Sequence, residues 1–356
     1  MSLVSISGSY ENDMREYTEG VLAKYGVSSK SAEREIICMA ESGNAVAKNF
    51  YADLVYNQKI LRKRPFRDAF YLYMDSAGID VDFLGEWNSD GTAYPMAFWS
   101  VGYYLVNYKR GAALKICENI PEIDILTLEK RLAMALELAV ACIDHEAVPG
   151  AINLVGRILQ EASESDEMFS ALGPVINKVL EGRTFTGISE SLVHIESREK
   201  CAEISESFFV SAAQEGYVYA CNSLAAREAE RIVIAVNSGA KNEEVTENII
   251  NYICYLKIAA DRLEPYAANR LGLFYINGEI KSGEKSAVFR EYVDHSLAYE
   301  YFKKATIYPD SNSAWAYLNL MKYFHKDYDV DIDLMNEHMD YIKMLSKEVY
   351  DIAMDL

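Results

Sequence analysis

Four asparagines, Asn49, Asn153, Asn222 and Asn269, each stand two residues after an alanine that opens the same short pattern, at Ala47, Ala151, Ala220 and Ala267. Two further copies, opened by Ala97 and Ala314, carry Trp99 and Ala316 at that place. A side-chain amide offers two donors and an acceptor, the set that bonds the main chain of an extended peptide whatever its side chains are. The same amides can instead bond a neighbouring repeat or the backbone of a loop, so the spacing leaves two roles open. If each pattern is a helix, 100° per residue puts offset +2 at 200°, on the side away from the alanine, and offsets −1, +6 and +9 fall near it at 260°, 240° and 180°. Those offsets add Tyr103, Arg157, Tyr219, Tyr266, Leu273 and Tyr56. Aromatic residues and arginine are what interface cores favour, although for any one of the 26 tyrosines packing between helices is the competing role.

Other residues of suitable type do not form a site. The run "HKDYDVDIDLMNEHMD" puts Asp327, Asp329, Asp331 and Asp333 at alternate positions, as at the start of a calcium loop. Counted from Asp327, the sixth position is Ile332 rather than glycine and the twelfth is His338 rather than glutamate, so a solvated loop that caps the last helix is expected instead. His145, His194, His295, His325 and His338 are dispersed, without HExxH or a repeated Cys/His spacing. There is no G-x-S-x-G, phosphate loop or dinucleotide fingerprint. These residues nominate no catalytic group, metal ligand or cofactor, and the chain reads as not an enzyme.

Helices must position the asparagines, and composition agrees. The chain has 356 residues, half of them hydrophobic and a quarter charged, which are globular values. Only 7 prolines and 19 glycines punctuate it, too few for a sandwich or barrel with a turn at about every tenth residue. A net charge of −19 opposes nucleic acid and anionic membranes, because phosphate binding requires clustered Lys and Arg. The longest apolar window, Leu132 to Ile143, contains Glu137 and is far short of the about 20 residues of a membrane helix. The start, "MSLVSISGSYENDM", has no basic segment or apolar run, so a secretory signal is not expected. Cys38, Cys117, Cys142, Cys201, Cys221 and Cys254 lack ligand spacing and read as buried, reduced thiols of a cytoplasmic chain.

Two patterns alternate. The first has an alanine, an apolar and small residue at +4 and +5, and an apolar residue at +8: Ala47/Tyr51/Ala52/Val55, Ala97/Val101/Gly102/Leu105, Ala151/Val155/Gly156/Leu159, Ala220/Leu224/Ala225, Ala267/Leu271/Gly272/Tyr275 and, loosely, Ala314/Leu318/Asn319. These are the A helices. The second has a small residue, bulky apolar residues at +3 and +4, and small residues at +7 or +8: Ala69/Leu72/Tyr73/Ser76/Ala77, Ser205/Phe208/Phe209/Ala212/Ala213 and Ala298/Tyr301/Phe302/Ala305, with weaker copies at Ala32, Ala135 and Tyr252. These are the B helices. From each B start to the next A start the distances are 15, 28, 16, 15, 15 and 16 residues; the long one holds the turn-rich Gly78–Pro95. A-to-B distances vary, at 22, 38, 54, 32 and 31, so insertions gather in that connection. The longest insertion spaces Val175, Ile176, Val179 and Leu180 as an added helix would.

The segment "YAANRLGLFYINGEI…HSLAYEYFKKATIYPDSNSAWAYLNL" resembles the Sel-one-like repeat, a relative of the tetratricopeptide repeat. Ala267, Leu271, Gly272, Tyr275, Gly278, Ala298, Tyr301, Phe302 and Ala305 carry the match, and "SESFFVSAAQEG", Ser205 to Gly216, matches its second half. The repeat's GxG turn is degenerate, and the middle copies hold long insertions. The resemblance implies an all-α fold, a right-handed α/α superhelical solenoid of about five to six hairpins, with the +2 side of the A helices on its concave face. It also implies a scaffold or adaptor role without catalysis. Residues 1–43 are expected to form a helical cap, 44–320 the repeats with insertions near 78–95, 107–131 and 161–201, and 321–356 a capping helix, all in one continuous solenoid. Gly272 then reads as a packing residue and Gly278 as a helix stop. Bound on the concave face by Asn49, Trp99, Tyr103, Asn153, Arg157, Tyr219, Asn222, Tyr266, Asn269 and Leu273, a partner protein or extended peptide is the expected ligand. Two alternatives stand beside it: a regulatory module whose insertions form a small-molecule or metal site, and self-association through uncapped repeat ends.

Overall fold

A computed structural model describes residues 29–56, 64–80, 93–110, 119–145, 148–185, 188, 192, 194–307, 311–324 and 332–354. The described residues fall into two compact units, one up to Glu215 and one from Gly216 onward. In the first, the helices are α1 (Ser29–Glu41), α2 (Ala45–Tyr56), α3 (Phe66–Ser76), α4 (Pro95–Asn107), a short α5 (Pro121–Asp124), α6 (Leu128–His145), α7 (Pro149–Ser163), α8 (Asp166–Leu180) and α9 (Arg198–Gln214). The second holds α10 (Val218–Asn237), α11 (Thr246–Asp261), α12 (Pro265–Asn277), a hairpin of β1 (Glu279–Ser282) and β2 (Lys285–Val288), α13 (His295–Ala305), α14 (Ser311–Phe324), α15 (Ile332–Leu345) and α16 (Lys347–Met354). Every predicted A start lies in α2, α4, α7, α10, α12 or α14, and every B start in α1, α3, α6, α9, α11 or α13. Within each unit the architecture is that of an α/α solenoid, each A helix packed on the following B helix.

Local chemistry sets the helix ends. Three A helices begin on proline two residues before their alanine, at Pro95, Pro149 and Pro265, where the fixed φ suits the first turn and the missing N–H is not needed. Ser197 opens α9 and Asp294 opens α13, each side chain accepting the N–H three residues on. Within the second unit a residue in the left-handed region reverses the chain between α11 and α12, Leu263 at φ 63°, without glycine's freedom, and Gly216 stands at φ 88° before α10. So tight a reversal explains the 15- to 16-residue timing.

Small residues at A offset +5 set how closely the helices approach. A Cβ on Gly156 would stand 2.9 Å from the Phe209 ring and 3.2 Å from Phe208; one on Gly272 would stand 2.5 Å from the Phe302 ring. Both partners are the bulky B residues at +3 and +4, completely buried. Ser205 adds a bond across the same contact, its hydroxyl donating to the Gly156 carbonyl at 2.8 Å. Gly278 ends α12 at φ 65°.

The structure adds features that periodicity does not reveal. Beyond Gly278 the connection to α13 is a β-hairpin, paired Glu279 to Val288 through Ser282 to Lys285 and packed on α10, with Ile280, Ala287 and Phe289 turned inward. At the C-terminus two helices replace the expected single one. Ser346 separates them, its hydroxyl accepting the Val349 N–H at 3.4 Å to start α16, which turns Val349 and Ala353 into the cluster of Ala314, Leu318 and Ile342. The 161–201 segment contains α8, with Leu172, Ile176, Val179 and Leu180 buried. Most of Gly78–Pro95, part of 107–131, and Asp327, Asp329 and Asp331 lie outside the described residues.

Two glycine substitutions separate packing from propensity. Gly272→Ala is expected to destabilise by about 1–3 kcal/mol, because the new methyl displaces the buried Phe302 ring. Gly173→Ala, inside α8 and with 3.7 Å to its nearest non-adjacent neighbour, is expected to change stability by less than about 1 kcal/mol, because the gain in helix propensity is opposed by the crowding of a new Cβ against the ring of Pro174. Thermal and urea unfolding of both variants decides; equal effects of one sign would contradict the packing assignment.

Candidate partner-binding face

In the first unit, α4 and α7 run side by side and parallel, as contacts that advance in step show. Trp99 lies over Gly150, where a Cβ would stand 2.8 Å from the indole; the Leu154 side chain would come within 3.0 Å of a Cβ on Gly102. Further along, Arg157 donates to Asn107 Oδ1 at 2.9 Å and Arg110 to Glu161 at 2.7 Å. This register sets Tyr103 level with Asn153. Trp99 and Tyr103 face each other with ring centroids 6.1 Å apart, both half-buried. Asn153 is only 4% exposed, and its Oδ1 has no hydrogen-bond partner. Arg157 is held by the amide of Asn107, whose own NH2 donates to the Tyr103 carbonyl at 2.7 Å. Trp99, Tyr103, Asn153 and Arg157 therefore come together as one group of two aromatic rings, an amide and a guanidinium.

Charge is concentrated past the end of this group. Glu164 is raised above the usual carboxylate range, by burial first and by the neighbouring Glu161 second, with Arg110 opposing. Arg131 is lowered, mainly by burial and then by Arg110. It donates to the Tyr108 carbonyl at 3.0 Å, just past the end of α4, where a cation suits the helix dipole.

In the second unit the equivalent asparagines are tied into the fold. Asn222 donates to Glu264 Oε2 at 3.1 Å, while its own Oδ1 has no hydrogen-bond partner. Glu264 is 5% exposed and caps α12, accepting the N–H groups of Tyr266 at 3.2 Å and Ala267 at 2.7 Å. Asn269 is buried and its Oδ1 accepts from Asn319 at 2.9 Å. Tyr219 and Tyr266 are exposed, the latter beneath the Arg270 guanidinium at 5.9 Å, and Leu273 is half-buried.

The angular argument set the +2 asparagines opposite the packing stripe and left open a bond to a neighbouring repeat; Asn49, Asn153 and Asn269 are buried, and Asn222 and Asn269 make such bonds. Contact between successive A helices, α4 with α7 and α12 with α14, closes much of that side. Tyr56 stacks edge-on against Tyr104 and Phe66, a core role. Glu264, Asn107 and Asn319 were missed as partners. Asn319 sits at the +5 position that other copies fill with a packing residue, and Glu264 could have been noticed as the acidic residue before Pro265.

The cysteines require a correction. Cys142, Cys201 and Cys221 are buried, but Cys38 and Cys254 are exposed. Cys254 lies on the outer side of α11, one turn from the exposed Ile250 and Ile258, which the B-helix pattern does not assign to packing. Among the described residues, no group of three or more His, Cys, Asp or Glu is placed to hold a metal ion. Among them, too, no helix is long and apolar enough to cross a membrane.

No family model matches the chain, and no curated protein matches it. Among solved structures it is similar to the crystal structure of a Sel1 repeat protein from Oxalobacter formigenes, at 14% identity and a TM-score of 0.45, over 94% of this chain and 99% of that one. It is also similar to a protective antigen of uropathogenic Escherichia coli strains displaying an SLR fold, at 16% identity and a TM-score of 0.30, over 98% of this chain and 63% of that one.

Two measurements follow. Burial pushes the Cys201 thiol up to about 12 and the Cys221 thiol to about 11, so near pH 8 both are protonated as well as enclosed. Iodoacetamide near that pH should modify Cys38 and Cys254 in the folded chain and leave Cys201 and Cys221 untouched, as read by peptide mass spectrometry. Modification of the buried pair at the same rate would contradict the burial of Cys201 in α9 and of Cys221 in α10. Separately, Glu264→Ala removes an N-cap and the partner of Asn222, and should cost about 1–3 kcal/mol of stability in denaturant unfolding, with no change contradicting the capping role.

Proposed function

We propose that the chain is a non-catalytic scaffold that binds a partner protein or an extended peptide on the A-helix faces that sequence assigns to the concave side. One observation carries this reading: Asn153 Oδ1 is buried without a partner, level with Tyr103 and one turn from Arg157. Leaving a buried acceptor unpaired costs about 1–3 kcal/mol; the oxygen is enclosed, so a main-chain N–H of a bound segment removes that cost once the side chains that cover it move aside. Trp99 and Tyr103 offer ring faces beside it, and Arg157 a guanidinium held in place by Asn107. Asn222 with Tyr219 and Tyr266 supports a second contact region in the Gly216–Leu356 unit. Asn269, bonded to Asn319, serves to hold α12 against α14 and contributes to binding through that placement.

The ligand in this reading is protein, since the net charge of −19 disfavours nucleic acid and anionic membranes. The compartment in this reading is the cytoplasm, which the scattered cysteines without disulfide spacing support.

The test is selection of a random peptide library on the full chain, followed by affinity measurement of a selected peptide against variants. Asn153→Leu conserves volume and removes the unpaired oxygen, so stability should hold within about 1 kcal/mol or rise while affinity falls at least about tenfold. Tyr103→Ala should weaken the same peptide, and Lys347→Ala on α16 should not. Loss of stability without loss of affinity would show that Asn153 is a structural residue and would overturn the reading.

A further inference from the structure

Within the second unit a guanidinium stands without a counter-charge. Arg270, half-buried on α12, lies over the Tyr266 ring at 5.9 Å, and its Nη2 donates to the Tyr252 hydroxyl at 3.5 Å and to the Lys281 carbonyl of β1 at 3.4 Å. Both bonds are long, and both use one nitrogen. Among the described residues no acid pairs with it, because the three acids nearest in the chain are engaged elsewhere: Glu264 caps α12, Asp261 pairs with Lys304 at 2.6 Å and Glu279 with Lys281 at 3.2 Å. Acid is not scarce, with 54 Asp and Glu against 35 Lys and Arg. Arg131 and Arg157 also lack an acid, but each makes a bond of ordinary length, at 3.0 Å and 2.9 Å.

The Nε and Nη1 groups of Arg270 have no hydrogen-bond partner among the described residues, and neither nitrogen is sealed from solvent. A carboxylate supplies the missing acceptors and the missing charge together, in bonds of about 2.7–2.9 Å. Tyr252, 1% exposed, holds the guanidinium from behind, and the exposed Tyr266 lends it a ring face. Tyr266 stands one turn before Arg270 and Leu273 one turn after it on the same side of α12, so a segment following that side passes over the guanidinium. A side chain of the segment then meets it, not the chain end. One guanidinium balances one carboxylate, whereas a phosphate group carries close to two charges and the neighbouring Lys281 is already paired with Glu279. We propose that Arg270, with Tyr252 and Tyr266, binds the side-chain carboxylate of an Asp or Glu in a segment of the partner protein. The assignment rests on the partner-binding reading, but on none of the residues around Asn153, which belong to the other unit.

Two measurements separate the site from the partner. Sodium acetate, titrated to about 100 mM into the full chain labelled with 15N-arginine, should progressively shift the Arg270 Nε–Hε resonance, assigned by its loss in Arg270→Lys. Equal sodium chloride should not shift it, and Arg183, held by Asp144, should respond less to acetate. For a peptide selected from a random library on the full chain, each Asp or Glu is then replaced by its amide. One such replacement should weaken binding at least about tenfold on the wild type and less than about twofold on Arg270→Gln, whose circular dichroism spectrum should be unchanged. Arg270→Lys, which keeps the charge and loses the planar fork, should fall between the two. No acetate response at Arg270 would overturn the site. Amide replacements that act equally on wild type and Arg270→Gln, or an effect confined to amidation of the peptide C-terminus, would overturn the side-chain assignment. An acetate response without any selected peptide would retain the carboxylate site and sink the partner reading.

Discussion

Everything else in this structure depends on how closely an A helix approaches its B helix. At Gly156 and Gly272 the aromatic ring of the facing helix occupies the space where a Cβ would be, and at Gly102 the Ala135 backbone and the Leu154 side chain come close to it. Apolar burial drives the helices together, but burial is not directional. The missing side chain makes one register of the pair fit better than the others, because an interior packed to crystal density does not accept an extra methyl. With that distance fixed, successive A helices are carried alongside one another.

The same constraint explains the state of the asparagines. Once α4 meets α7 and α12 meets α14, the +2 position is partly enclosed, and a polar group there must be bonded or remain a standing cost. Two solutions occur. Asn269 with Asn319, and Asn222 with Glu264, bond across neighbouring A helices and tie them. Asn153 keeps its oxygen unpaired beside Trp99 and Tyr103, as Asn222 does its own oxygen while its NH2 bonds Glu264, and that residual cost is what makes Asn153 the proposed point of partner contact.

Much of the fold is legible in the sequence because timing is a strong signal. A B-to-A distance of 15 or 16 residues reflects one helix plus a tight reversal, and each of the twelve pattern starts lies in a helix. The hairpin after Gly278 is less legible: "EIKSGEKSAV" is a short run with a two-residue turn at Gly283 and Glu284, and a repeat pattern reads it as a loop. The break at Ser346 is equally hidden, since a serine inside an apolar period is as common in a continuous helix as at a cap. The site was legible only in part. Helical angles identify which side a residue lies on, yet they cannot say that a neighbouring helix covers that side, which depends on contacts about fifty residues apart, such as Asn107 with Arg157.

The central claim, that the A face around Asn153 receives a partner, is tested most directly by a crystal structure of the full chain with a library-selected peptide bound. The account predicts a peptide main-chain N–H about 2.9 Å from Asn153 Oδ1 and a peptide side chain against Trp99 and Tyr103. A peptide seated elsewhere, with Asn153 Oδ1 still unpaired, would contradict it.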